Sequence, residues 1–103
     1  MKAQLIEIGT QNKETRLTWY CPGCRCNHGV PVPPHPLAWG WNGSTDAPTL
    51  TPSVLITYGD IGGGLPKDRP AVCHCFVRDG RIEFCGDSTH PLAGQTVEMA
   101  NLD

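Results

Sequence analysis

Apolar positions along this chain fall in short runs that alternate with polar ones and are broken by turn residues, and no long stretch shows the i, i+3, i+4 spacing of a helix. Ala3 to Ile8 and Thr15 to Tyr20 are two such runs. They flank the polar segment Thr10-Gln11-Asn12-Lys13-Glu14, which predicts a hairpin whose second strand leads directly into Cys21. Leu37 to Trp41 reads as a strand closed by the turn pair Asn42-Gly43. Trp39 and Trp41, two apart, then share one face and are read as a core wall in preference to a stacking platform for bases. Pro48 to Tyr58 has prolines that suit the start of a strand or a sheet edge, with Val54 to Tyr58 as the strand proper.

Arg78-Asp79-Gly80-Arg81 is a two-residue hairpin turn of the Asp-Gly type, so a register follows from it: Val77 opposite Ile82, Phe76 opposite Glu83, Cys75 opposite Phe84, His74 opposite Cys85. One face carries Cys73, Cys75, Val77, Ile82 and Phe84, an apolar set. The other carries His74, Phe76, Arg78, Arg81, Glu83 and Cys85. Gln95 to Met99 is the last predicted strand. Gly29 to Pro36 holds four prolines and is expected to be extended, as a rigid connector in preference to a polyproline ligand, with His35 facing solvent. Gly59 to Pro70 is expected to be a surface loop, because it lacks the Gly-Lys-Ser/Thr ending of a phosphate cradle. The expectation is a mainly β, zinc-stapled single domain spanning residues 1–103, with long Gly/Pro-rich loops.

Composition sharpens that picture. Gly (12) and Pro (10) are well above the average share of about 12% for the two together. A chain of 103 residues buries a modest core, so a metal staple would add needed stability. A formal charge of −2 and a pI near 6.0 argue against a general phosphate-binding surface. No apolar run suits a signal peptide or a membrane span, and a cytoplasmic location is expected, in the host cytoplasm if the chain is phage-encoded. In a reducing compartment the six cysteines read as metal ligands or buried thiols in preference to disulfides.

The chemistry concentrates in Cys21-Pro22-Gly23-Cys24-Arg25-Cys26-Asn27-His28, where a C-x-x-C turn forms half of a zinc knuckle. Gly23 is expected to take positive φ so that both sulfurs converge. The remaining ligands must come from elsewhere, and Cys73, His74, Cys75, Cys85 and His90 are the candidates. Cys75 falls on the apolar face and reads as a buried thiol. Cys73 and His74 point to opposite faces of a regular ladder and cannot then share one ion, unless a bulge intervenes. His90 is expected either to bind the metal or to hydrogen-bond Asp87. The order Asp87, Ser88, His90 suggests a hydrolase triad, but three members on one short loop cannot readily reach the mutual geometry, and no Gly-x-Ser-x-Gly elbow is present. No catalytic residue and no organic cofactor site are assigned.

Cys21 to Cys24 with His28, Trp39-Gly40-Trp41-Asn42-Gly43, Pro48 to Ser53, Cys73 to Ile82 and Asp87 to Val97 together resemble a family of small phage and prophage proteins of unknown function. The label ammonia monooxygenase carried by members does not fit, because that enzyme is a large membrane copper complex. A more distant group of small zinc-binding domains is similar in its Cys-rich knuckle, a Pro-Ser-Ile-like segment and a Ser-His-Tyr-Trp-Ile stretch before a hairpin. That second resemblance implies Cys21, Cys24 and His74 as ligands, with Cys73 replacing a cysteine that in the group lies three residues before the histidine. The ligand set expected is therefore drawn from Cys21, Cys24, Cys73, His74 and His90, holding Zn2+.

The function expected from these readings is binding, most readily of a protein partner, in host-defence interference or phage assembly. A nucleic-acid role would rest on Arg25, Lys67, Arg69, Arg78 and Arg81 with the indoles. A zinc enzyme would keep an open metal position and use His28 or His90 with Asp87 for protons.

Overall fold

The computed structural model describes residues 1–8, 14–57 and 72–102. Within them the chain is built from strands and turns, with no helix. Strands β1 (Gln4–Ile8), β2 (Glu14–Cys21) and β3 (Cys26–Pro31) form an antiparallel three-stranded sheet in the order β1-β2-β3. Short strands β4 (Gly40–Trp41) and β5 (Leu50–Thr51) pair as a ribbon. Strands β6 (Val54–Thr57), β7 (Val72–Arg78), β8 (Arg81–Phe84) and β9 (Thr96–Glu98) make an antiparallel four-stranded sheet in that order. The mainly β expectation holds. The predicted loop over 59–70 lies outside the described residues.

Period-two alternation dictates which face each sheet buries. On β2, Leu17, Trp19 and Cys21 are buried while the residues between them are only partly covered. On the four-stranded sheet Cys73, Cys75 and Val77 of β7 are buried with Ile82 and Phe84 of β8, and all join one apolar cluster with the buried residues of β2. Burying a side chain such as Leu17 or Trp19 contributes about 1.5–3 kcal/mol, so this shared core is what holds the sheets together. Trp39 and Trp41 are half-buried and pack against the same cluster, as a core wall requires.

The β7–β8 hairpin has the register read from the sequence, with Cys75 opposite Phe84, Phe76 opposite Glu83 and Val77 opposite Ile82. Asp79 (φ 50°) and Gly80 (φ 76°) both occupy the left-handed region, which fits the twist of a two-residue hairpin. Two other local expectations differ. The proline-rich segment stays extended only to Pro31. Turns then follow, with the His35 amide donating to the Val32 carbonyl and the Ala38 amide to the His35 carbonyl, because the φ that proline fixes suits turns as well as extended chain. Asn42-Gly43 does not close a tight hairpin. Asn42 Oδ1 instead accepts from the amides of Ser44 and Thr49, and so shapes a longer connection between β4 and β5.

Candidate functional site

Two groups of polar side chains sit back to back across β7. The first is buried. Strand β2 ends at Cys21, which stands opposite Cys26, and the turn between them carries Cys24. The Arg25 amide donates to the Cys21 carbonyl (2.8 Å) and closes the turn, and the Cys24 amide points at Cys21 Sγ (3.4 Å). The left-handed residue in this turn is Arg25 (φ 56°), not Gly23. Gly23 serves another need, since a Cβ there would lie 2.5 Å from the His90 ring. The four potential ligand atoms of Cys21, Cys24, Cys73 and His90 all lie within 4.8 Å of one another, and all four residues are buried.

Each member comes from a different place. Cys21 closes β2, Cys24 lies in the knuckle turn, Cys73 is the second residue of β7, and His90 sits in the loop after β8, its ring edge-on to Phe84 at 4.5 Å. Cys21 Sγ and Cys73 Sγ are 3.9 Å apart. Hydrogen bonding to Cys73 and burial push the Cys21 thiol up to about 12, offset in part by the His28 ring. For Cys73 the bond with Cys21 works downward, but Cys75 and burial outweigh it and the thiol is raised. Burial pushes the His90 imidazole below its usual value, and its Nε2 is enclosed with no hydrogen-bond partner. Three crowded sulfurs and an orphaned imidazole nitrogen fit a bound metal ion, which would replace the thiol protons.

The second group faces outward. In a regular ladder His74 must point away from Cys73, and it does. Its Nδ1 lies 3.1 Å from both carboxylate oxygens of Asp87, and its Nε2 lies 3.1 Å from Ser53 Oγ. An ionised carboxylate only accepts, so Nδ1 carries the imidazole proton and Nε2 is left to accept from the Ser53 hydroxyl. Ser53 fills the break between β5 and β6, on the same face as Leu55, which pairs with His74. The Trp39 indole donates to the Ser53 carbonyl at 3.3 Å and holds that break in place.

Asp87 reaches His74 because the loop that carries it is stitched to β7. The Cys85 amide donates to the His74 carbonyl (2.8 Å) and the Thr89 amide to the Val72 carbonyl (2.9 Å). Ser88 Oγ accepts from the His74 amide and donates to the His74 carbonyl, both at 3.0 Å. Ser88 thus clamps its loop to the backbone of β7. Cys85 lies with His74 and Asp87, their potential ligand atoms also within 4.8 Å of one another.

The structure therefore brings together Cys21, Cys24, Cys73 and His90 and places His74 on the opposite side of the sheet, next to Ser53 and Asp87. Cys26 lies on β3 outside both groups, Cys75 is in the core, and His28 packs edge-on to Trp19 at 6.2 Å with its Nε2 buried and unpartnered. Ser53, which joins His74 here, has no pattern of its own in the sequence. Its one signal is the resemblance to the Pro-Ser-Ile-like segment, which falls on Pro52-Ser53-Val54.

Among the described residues, no helix is long and apolar enough to cross a membrane. A family model described as "Bacterial ubiquitination-like system serine protease (BubE)" matches residues 1–85. The match takes in Ser53 and His74, and Asp87 and His90 lie just beyond it. The description is of a bacterial family, and it carries neither the phage origin nor the zinc expected from the residues. None of the curated proteins and none of the solved structures matches the chain.

Proposed function

The chain belongs to the BubE family of a bacterial ubiquitination-like system, and on that premise we propose that it is a serine protease with Ser53 as nucleophile, His74 as general base and Asp87 as the carboxylate that orients His74. The observation that carries this reading is the unbroken hydrogen-bond chain from Ser53 Oγ through His74 to Asp87, each link 3.1 Å. Three residues 21 and 13 positions apart along the chain meet in the geometry that nucleophilic acyl transfer requires.

In this mechanism Ser53 Oγ attacks the scissile carbonyl as its proton passes to His74 Nε2. Asp87 stabilises the imidazolium through Nδ1–H. His74 then delivers the proton to the leaving amine, and an acyl group remains on Ser53. A water that gives its proton to Nε2 releases the acyl group and restores the serine. The substrate proposed is a peptide or isopeptide bond in a protein of that system, which agrees with the protein partners that family membership suggests. Leu55, 57% exposed and paired in register with His74, offers an apolar contact to the substrate chain beside the nucleophile.

The metal, proposed as zinc from its three-sulfur, one-nitrogen donor set, is structural in this reading. When bound it would tie the ends of β2 and β7 and the loop after β8 into one unit. Four protein donors leave no open coordination position in a tetrahedral site, which favours a serine mechanism over a zinc hydrolase.

The test is labelling with a fluorophosphonate, which reacts with activated serine hydroxyls. The adduct is expected on Ser53 by peptide mass spectrometry and is expected to vanish in Ser53→Ala and His74→Ala while Ser88→Ala still labels. A chain that stays folded and unlabelled would overturn the protease reading.

A further inference from the structure

We propose that His74, Cys85 and Asp87 form a second, inhibitory metal site, at which a thiophilic divalent cation of the zinc type silences the serine by occupying Nδ1 of the general base. The proposal rests on the reading of His74 as that base. The three potential ligand atoms lie within 4.8 Å of one another, and the Nδ1 to carboxylate separation is 3.1 Å. Metal–nitrogen and metal–oxygen bonds of about 2.0–2.2 Å in a tetrahedral arrangement set such donors only slightly farther apart, so little movement is needed.

The site is already held in shape. The Cys85 amide is bonded to the His74 carbonyl and the Ser88 amide to the Cys85 carbonyl, so the segment that carries Cys85 and Asp87 is fixed against β7. It is also open to solvent where the other group is not. The Asp87 side chain is 62% exposed and that of His74 26%, whereas Cys21, Cys24, Cys73 and His90 are all buried. An imidazole, a thiolate and a single carboxylate select zinc-like ions over magnesium or calcium, which prefer oxygen donors.

The inhibition follows from the tautomer. A cation at Nδ1 displaces the proton that now points at Asp87, and the neutral ring then carries its proton on Nε2. A protonated Nε2 donates and cannot take the Ser53 proton. Cys85 gives up its thiol proton to solvent as sulfur binds the ion. Nothing is oxidised, and removal of the cation restores the relay.

The experiment uses protein with its buried cluster loaded, in buffers of stepwise increasing free zinc. Native mass spectrometry counts bound ions, and fluorophosphonate labelling gives the rate at Ser53, each protein being compared with its own rate at the lowest zinc. Expected is a second zinc that binds after the first, a fall of about tenfold or more in labelling over the same range, and reversal by a weak chelator, with magnesium inert. Cys85→Ser is expected to keep the first ion and to need about tenfold or more zinc for both effects, as loss of a ligand should weaken the site at least as much as loss of a supporting contact. Absence of a second ion, or an identical response in Cys85→Ser, would overturn the proposal. If Ser53 fails to label at any zinc level, the protease reading falls, and the metal site is then decided by ion count alone, through the higher zinc that Cys85→Ser needs to take up the second ion.

Discussion

Cys73 and His74 are consecutive on β7 and face opposite sides of it: Cys73 Sγ lies 3.9 Å from Cys21 Sγ in the core, while the His74 ring lies 3.1 Å from Ser53 and Asp87 on the outer face. The buried cluster and the Ser53-His74-Asp87 array therefore share one stretch of backbone, and His90 and Asp87 share the loop that completes both. Whatever fixes the one fixes the other.

Metal removal is expected to lower the melting temperature and to slow labelling of Ser53, although no metal touches the serine. Cys24→Ser separates the cause, because it takes one donor from the knuckle turn without altering β7. Native mass spectrometry should show one tightly held zinc in the wild type, lost in this variant together with most labelling. A melt indifferent to chelation, or full labelling in a metal-free folded chain, would contradict the arrangement.

Asp87→Asn is expected to reduce turnover by about 10⁴-fold with little change in stability, because an amide at this position can hold the imidazole in the wrong tautomer. Asp87 is exposed and its side-chain contact is to His74, so the melting temperature should move little. Steady-state kinetics and a thermal melt on the same preparation check both halves.

Leu55→Glu tests the proposed substrate contact. The side chain is 57% exposed, so the fold should tolerate the change. KM for a protein substrate is expected to rise several-fold while the fluorophosphonate rate stays within about twofold of wild type. Equal losses in both would place Leu55 in support of the array instead.

Metal-stripped protein should be most stable between pH 6.5 and 9. Burial holds the native His90 below 6.5, so the unfolded chain binds the extra proton as pH falls through 6.5, and stability drops with it. Cys21 is raised from 9.0 to about 12, so the native state keeps a proton that the unfolded chain releases, and stability drops as pH rises from 9 toward 12. Metal-loaded protein should lack the alkaline loss, since its sulfurs are already deprotonated. Denaturant titrations across pH, with and without metal, read both limbs.

Gly80→Ala is expected to destabilise the chain by about 1–2 kcal/mol from its left-handed backbone alone. A Cβ there would also press to 3.2 Å from Ala47 Cα and 3.3 Å from the Asp46 carbonyl, which adds to the loss. Chemical denaturation gives the value directly.

Pattern and turn chemistry along the chain suffice to specify the strands. Asp79-Gly80 sets the β7–β8 register, and alternation along 73–78 places Cys73 inward and His74 outward. The C-x-x-C spacing likewise marked Cys21 and Cys24 as partners. Local rules reach that far because each depends only on neighbours along the chain.

Which residues join them depends on contacts between distant parts of the chain. His90 completes the buried group because the 85–94 loop folds back beneath the knuckle, with Gly23 leaving room for its ring. Ser53 meets His74 because β6 lies beside β7 in the register that pairs Leu55 with His74, and Asp87 arrives because Ser88 and Thr89 clamp its loop to β7. Those contacts span 13 to 21 residues and are set by sheet pairing and loop docking, which no local spacing records. A serine, a histidine and an aspartate scattered along a β chain come within hydrogen-bond reach only when sheet pairing and loop docking bring them to one face.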